Sequence, residues 1–274
     1  MTAFQQILYE KKDHLARVKL NRPKYRNAQS RRLLEELDRA FQEAVTDDDV
    51  RVIILSGQGD HFSSGHDLGT PEQKEDDARR PYPSGIMGNY RRQWELFHDM
   101  GLRWRDLPKP TIAEVHGYCI FGGWLIASAM DLIIASEEAL FLPSLLQYFS
   151  VPWDIGVRKT KEILFQTRFV TAQEACTLGF VNAVVPRERL ETETEKLAQR
   201  IAESDPIFTR LAKLSINQVQ DASGFRVAVQ SAFSNYMIFH QAGLVRTEEE
   251  KQQGKRSLSR VDRALRHLRE SKSS

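Results

Sequence analysis

The sequence predicts an α/β protein whose C-terminal region is helical, and three observations carry that reading. A strand, an amphipathic helix and a β-branched run follow one another over residues 15–57, the opening of a βαβ pattern. Further short β-type runs recur up to Val185, and after Pro186 the strand signals cease. The 274 residues suffice for one large domain, or one with a smaller companion, and can bury a core without disulfides or metal.

The elements follow in order. Residues 15–20 (LARVKL) alternate as a strand does and end at Asn21-Arg22-Pro23. Leu33, Leu34, Leu37, Phe41 and Val45 make one stripe, which predicts a helix over 31–45. VRVIILSG at 50–57 is a β-branched run closed by glycine, the mark of a strand buried on both faces. Residues 69–89, rich in charge, proline and glycine, predict a long mobile loop, with a helix over 90–104 after it. TIAEV (111–115) reads as a strand, 122–130 as an apolar helix and 131–136 as a second strand. Thr171 and Glu174 form a capping box that opens a short helix, stopped by Gly179 before the strand VNAVV (181–185).

Leu190, Leu197 and Ile201 predict a helix over 189–203, Asp205-Pro206 breaks it, and 207–240 reads as helix pairs. Phe225, Phe233, Tyr236 and Phe239 are expected on their surface, too much aromatic area for a monomer to leave wet. Leu258, Val261, Leu265 and Leu268 predict a last helix, with Arg256, Arg260 and Arg263 on another face. The predicted organisation is a core over 1–190 and a helical oligomerisation region with a basic tail over 191–274.

Composition narrows the function classes. Two cysteines, Cys119 and Cys176, exclude a disulfide framework and fit a reducing, cytoplasmic compartment. The start lacks a long apolar run and a cleavage site, which argues against a secretory signal. Residues 117–136 carry one charge and approach the length of a membrane span. Asp131, the Gly122-Gly123 pair and the missing basic flanks favour a buried helix running into a buried strand, hence a soluble chain with no membrane partner. The net charge is +2, split into a tail of +6 from Lys251 onward on a body of −4. Without interleaved aromatics that tail is no argument for nucleic acid. The histidines and cysteines lack metal-ligand spacing, and no GxSxG elbow is present, so neither a metal site nor an ordinary serine hydrolase is expected.

Two strand-to-helix turns are the places for chemistry. One is Phe62-Ser63-Ser64-Gly65-His66-Asp67-Leu68, and the other is His116-Gly117-Tyr118-Cys119-Ile120-Phe121-Gly122-Gly123. Glycines there let backbone approach a ligand, and two N–H groups facing one point would make an oxyanion hole; a packing role explains such glycines equally.

Residues 50–57, FSSGHDL and KPTIAEVHGYCIFGG resemble the enoyl-CoA hydratase/isomerase (crotonase) superfamily. Asn21-Arg22-Pro23, the helix at 171–179 with VNAVVP, and LAKLSIN (211–217) match it in the same order. The resemblance spans about residues 5 to 255. It implies a ββα superhelical core, a helical trimerisation domain giving a homotrimer or a dimer of trimers, and acyl-CoA thioester substrates, with CoA arriving as part of the substrate and no other cofactor. It places the two enolate-stabilising N–H groups on His66 and Gly122, the His66 side chain serving only to fill space.

It also implies substrate contacts from Ser64, Asp67, Leu68, Leu125, Leu145 and Trp153. Lys24 and Arg26, with Lys255, Arg256 and Arg260 of the tail, become candidates for CoA phosphates. The departures matter as much. Hydratases of the family hold water with two glutamates, whose positions here are Leu125 and Leu145, so the two-glutamate mechanism is unsupported. Asp154 occupies the position where some isomerases and carbon–carbon hydrolases of the superfamily carry a working aspartate. Between Trp153 and Ile155 its pKa is expected to rise, which suits proton transfer; as the residue before IGVRKTKEIL it could equally cap a helix. His116 reads as structural, and His61 and His98 as neighbours of the site rather than substrate contacts.

These readings lead to an isomerase or a related proton-transfer enzyme using Asp154. Hydrolysis of a β-dicarbonyl carbon–carbon bond and a degenerate acyl-CoA-binding protein are the alternatives.

Overall fold

The computed structural model describes residues 3–252 and 259–272. Lys255, Arg256 and Leu258 lie outside them.

Among the described residues nine strands make two sheets. The strands are β1 (Ile7–Lys12), β2 (Leu15–Leu20), β3 (Val52–Gly57), β4 (Thr111–Val115), β5 (Tyr118–Ile120), β6 (Leu132–Ser136), β7 (Leu140–Leu142), β8 (Val170–Thr171) and β9 (Ala183–Val185). The larger sheet runs β1-β2-β3-β4-β6-β9, with β1 antiparallel to β2 and every other pairing parallel. The smaller runs β5-β7-β8. The sequence pattern missed β1, because its residues are mostly solvent-facing and its polar face carries no alternation. Asp13 and His14, both at positive φ, make the two-residue turn that returns it to β2.

Helix Arg31–Thr46 forms where the apolar stripe predicted it, with Ser30 accepting from Leu33 N as its cap. It buries Leu33, Leu34, Leu37, Phe41 and Ala44 in the main core. Helix Leu190–Ala202 packs Leu190, Ala198 and Ala202 against Val52, Ile54, Ile112 and Ile134 of the larger sheet. β3 is therefore covered on both sides, as its unbroken apolar run required.

Residues 117–136 resolve into β5, helix Gly122–Ser128 and β6, and among the described residues no helix is long and apolar enough to cross a membrane.

Two expectations are corrected. Residues 69–89 are not one loop: they hold helix Pro71–Arg79 and the start of helix Gly85–Gln93. Thr70 caps the first by accepting from Gln73 N, with Pro71 at the first helical position; that start signal was present in the sequence, masked by the charge around it. The second continues through a wider π-type turn at Trp94–Asp99 into Met100–Arg105.

The second correction concerns the aromatics of 207–240. Phe225, Phe233 and Tyr236 are buried and Phe239 is partly buried, because helix Phe225–Gln252 turns them inward. Phe225 meets Tyr148 and Trp153, and Phe233 meets Tyr90, Trp94 and His98. Exposed apolar side chains are instead concentrated on helix Pro206–Ala222, among them Phe208, Leu211, Ile216 and Val219, with Val227 and Ile238 exposed on helix Phe225–Gln252.

Candidate active site

The first turn is pinned on two sides. Ser63 bridges to β5, its N–H donating to the Tyr118 carbonyl at 2.9 Å and its carbonyl accepting from Ile120 N at 3.0 Å. Gln29 bridges to the other side, donating to the Gly65 carbonyl at 2.8 Å and accepting from Asp67 N at 3.1 Å. In a parallel bridge the flanking residues carry the bonds, so the N–H of His66 is turned away from Gln29 and has no partner among the described residues. Gly122 opens the second turn's helix as its first residue, and its N–H is one of the donors a helix start leaves unmet.

The two turns touch. Gly65, at φ +90°, lies so close that a Cβ there would stand 2.8 Å from the Ile120 carbonyl oxygen and 3.2 Å from Gly122 N. A Cβ on Gly122 would in turn meet Gln29 Oε1 at 2.3 Å and His66 Nδ1 at 2.8 Å. Close contact requires glycine at both positions, and at Gly65 the positive φ requires it as well. Phe121, just before Gly122, is held at φ 47° and ψ −98°, a conformation costing on the order of 1–3 kcal/mol for a residue with a side chain. Its N–H donates to the Leu142 carbonyl at 2.9 Å, which fixes the strained peptide on β7.

The His66 imidazole does more than fill space. Nδ1 lies 3.2 Å from Gln29 Oε1 and the ring packs tilted against Phe97, centroids 3.8 Å apart. Burial pushes its pKa down to about 4, so the ring is neutral at pH 7.

Asp154 sits elsewhere. Its carboxylate accepts from the Trp124 indole at 2.9 Å and from the Ser150 hydroxyl at 2.8 Å, both on Oδ2. Burial pushes its pKa up to about 6, against the pull of those two donors. It lines a cavity of 710 Å³ between the end of helix Gly122–Ser128 and helix Pro206–Ala222, together with Tyr148, Trp153 and Lys213. Its link to the two turns runs through Trp124, two residues beyond Gly122. The capping alternative is not realised: Asp154 lies inside the short helix Val151–Ile155, and Gly156 is the residue before the next helix.

The remaining candidates divide. Leu125 is buried in the core and Leu145 is half-buried. Asp67 is fully engaged within the protein, accepting from Gly69 N, from Thr70 N and hydroxyl, and from Arg22. Its carboxylate therefore holds the first turn in shape. Ser64 donates its hydroxyl to the Tyr25 carbonyl at 3.4 Å, and Leu68 is 99% exposed. Lys24 and Arg26 are exposed, and Lys24 borders a polar cavity of 410 Å³ with Arg22 and Arg32. Trp153 packs edge-on to Phe225 at the rim of the Asp154 cavity. Arg260 lies over the Phe239 ring at 4.8 Å.

The other histidines have structural partners. His116 Nε2 meets the Gly59 carbonyl at 2.8 Å, His98 Nδ1 meets the Gln147 carbonyl at 3.0 Å, and His61 stacks on Tyr118 at 4.5 Å. Sequence reading missed Gln29 and Gln147, since an isolated glutamine gives no local sign that it will be buried beside a reactive turn.

The sequence model of the enoyl-CoA hydratase/isomerase family matches residues 10–253. The chain belongs to that family. Among family relatives, EchA13 of Mycobacterium tuberculosis is 39% identical over 258 residues, covering 86% of this chain and 81% of its own. The crystal structure of a probable enoyl-CoA hydratase from Mycobacterium smegmatis is similar at 40% identity and a TM-score of 0.80, over 87% of this chain and 96% of that one. An enoyl-CoA hydratase/isomerase from Xanthobacter autotrophicus Py2 matches at 31% identity and a TM-score of 0.82, over 97% and 99%. The fold is thus that of the crotonases, as the resemblance implied.

Proposed function

We propose that this family member is an enzyme acting on an acyl-CoA thioester, with the backbone N–H groups of His66 and Gly122 stabilising the enolate oxygen. The observation that carries this reading is a pair of unpartnered N–H groups on two turns in contact. Donors fixed before reaction stabilise charge as it develops, without reorganisation during the step.

Asp154 is the proposed proton carrier. With a pKa of about 6 it can both take and return a proton near neutrality. Migration of a double bond needs one such group, which removes a proton to form the enolate and returns it further along the chain. Cleavage of a β-dicarbonyl carbon–carbon bond would use the same oxyanion donors, since its leaving group is an enolate. Lys24, Arg26 and Arg260 are proposed to meet CoA phosphates, and the active form is proposed to be a homotrimer or a dimer of trimers.

The Trp124–Asp154 hydrogen bond favours a second reading. In it Asp154 is a peg that holds Trp124 stacked on Phe180, and the chain binds CoA esters without turning them over. Turnover on enoyl-, dienoyl- and β-ketoacyl-CoA esters, for wild type and Asp154→Asn, separates the two. Asn keeps an acceptor for Trp124 and Ser150, so a fall of about 10²–10⁴-fold with unchanged ester binding supports proton transfer. An Asn variant as active as wild type would remove Asp154 from the chemistry, and no turnover by either protein would favour the binder.

A further inference from the structure

The peptide that carries the Gly122 N–H joins it to Phe121, so the backbone angles of Phe121 decide where that N–H points. Phe121 stands at φ 47° and ψ −98°. Arg26 and Thr167, also at positive φ, rest in the left-handed basin at ψ 40° and 58°, and Phe121 lies outside it. Its angles are those of the first central residue of a type II′ turn, a glycine position because a Cβ is strained there. Turning the Phe121–Gly122 peptide by about half a turn would carry Phe121 toward the left-handed basin. The Gly122 N–H would then face the opposite way.

Two backbone bonds oppose that turn. The Phe121 N–H donates to the Leu142 carbonyl at 2.9 Å, and its carbonyl accepts from Leu125 N at 3.0 Å. The strain of such a residue is of the same order as the net worth of two hydrogen bonds, so these alone leave the peptide near balance. The side chain tips it. Phe121 packs against a small apolar cluster of Ile120, Leu142, Phe169 and Ala264, and Ala264 belongs to helix Arg260–Lys272. Val261, Leu265 and Leu268 of that helix join the same cluster, Ala264 is completely buried, and Asp262, Arg263 and Arg266 stay exposed. Ser259 caps the helix by accepting from Asp262 N at 3.1 Å.

We infer that helix Arg260–Lys272 is a positioning element for the oxyanion donors. By burying the Phe121 side chain it holds a phenylalanine in a glycine conformation, and so keeps the Gly122 N–H aimed beside that of His66. Phe121 and Ala264 are the positioning residues. This rests on the acyl-CoA reading above, which makes the Gly122 N–H an oxyanion donor.

Acetoacetyl-CoA tests it without turnover, because its enolate absorbs in the near ultraviolet and oxyanion donors favour the enolate over the keto form. Ala264→Glu in the full chain puts a charge beneath the helix and should release it. The enolate band at saturating ester is expected to fall at least about tenfold, since outright loss of one donor costs about 10²–10³. Leu265→Ala, a milder change on the same stripe, should act in the same direction with smaller amplitude. Glycine takes the Phe121 conformation without strain, so adding Phe121→Gly to Ala264→Glu should restore most of the band, which a general loss of structure would not allow. Phe121-Gly122 is the only Phe-Gly pair in the sequence, so isotope labels on phenylalanine carbonyls and glycine nitrogens give one coupled NMR signal. That signal should shift or split in Ala264→Glu. A band and a signal both unchanged in Ala264→Glu, or a loss that Phe121→Gly does not restore, would overturn this inference and leave the oxyanion reading standing. A wild type that binds acetoacetyl-CoA without an enolate band, or does not bind it, would overturn both.

Discussion

Arg22 and Asp67 meet at 2.7 Å with both side chains withdrawn from solvent, 2% and 0% exposed. The pair ties the turn after β2 to the turn that presents His66, and Arg22 also donates to the Ala28 carbonyl and the Thr70 hydroxyl. Breaking a buried pair leaves a charge uncompensated, at about 3–5 kcal/mol. Arg22→Met is expected to lower the melting temperature sharply at pH 7, and Asp67→Asn less, since Asn still accepts from Gly69 and Thr70. Burial pushes the Asp67 carboxyl up, but its donors outweigh burial and hold it below the usual carboxylate range. Its contribution is therefore complete above roughly pH 4 and is lost as pH falls through the folded value. Thermal melts of wild type and Asp67→Asn should converge in acid; a gap that stays constant with pH would refute the pairing.

Asp154 behaves with the opposite sign. Its pKa is raised to about 6, so the folded state binds a proton that the unfolded state has already released between roughly pH 4 and 6. Wild type should lose on the order of 3 kcal/mol across that window as pH rises. Asp154→Asn, which has no charge to bury, is expected to melt above wild type at pH 8 and level with it near pH 4. An Asn variant that melts lower at pH 8 would show that the carboxylate is not desolvated.

Hydration of crotonyl-CoA should be slow compared with a two-glutamate hydratase. Leu125 and Leu145 leave no positioned carboxylate pair to orient the water. The double variant Leu125→Glu with Leu145→Glu tests the positions directly, though Leu125 is buried and a carboxylate there is destabilising. Wild-type hydration as fast as that of an ordinary hydratase would reveal acids elsewhere in the site.

Self-association is expected through helix Pro206–Ala222, where Phe208 is 68% exposed beside Leu211, Ile216 and Val219. Sedimentation at micromolar concentration should give a trimer or a multiple of it, and Phe208→Lys with Val219→Lys should shift it toward the monomer. A wild-type species of 31.5 kDa would end this expectation.

The sequence by itself determined the parts whose cause is local. The β-branched run of β3, the apolar stripe of Arg31–Thr46 and the Thr171 cap of helix Ala172–Thr177 all formed as read, because side-chain period and capping chemistry act within a few residues. The glycines of both turns were visible for the same reason. Tertiary structure decided what those turns face. The contact of Gly65 with Gly122, and the release of the His66 N–H, depend on bridges from Gln29 and from β5, and such long-range pairing leaves no local period to read. It also turned Phe225 and Phe233 inward, since a helix's buried face is chosen by what packs against it. The surroundings of the His66 ring are the extreme case: Gln29 meets Nδ1 and is itself tied to Ser63, whose hydroxyl donates to the Asn27 carbonyl, and only the folded chain brings these groups together.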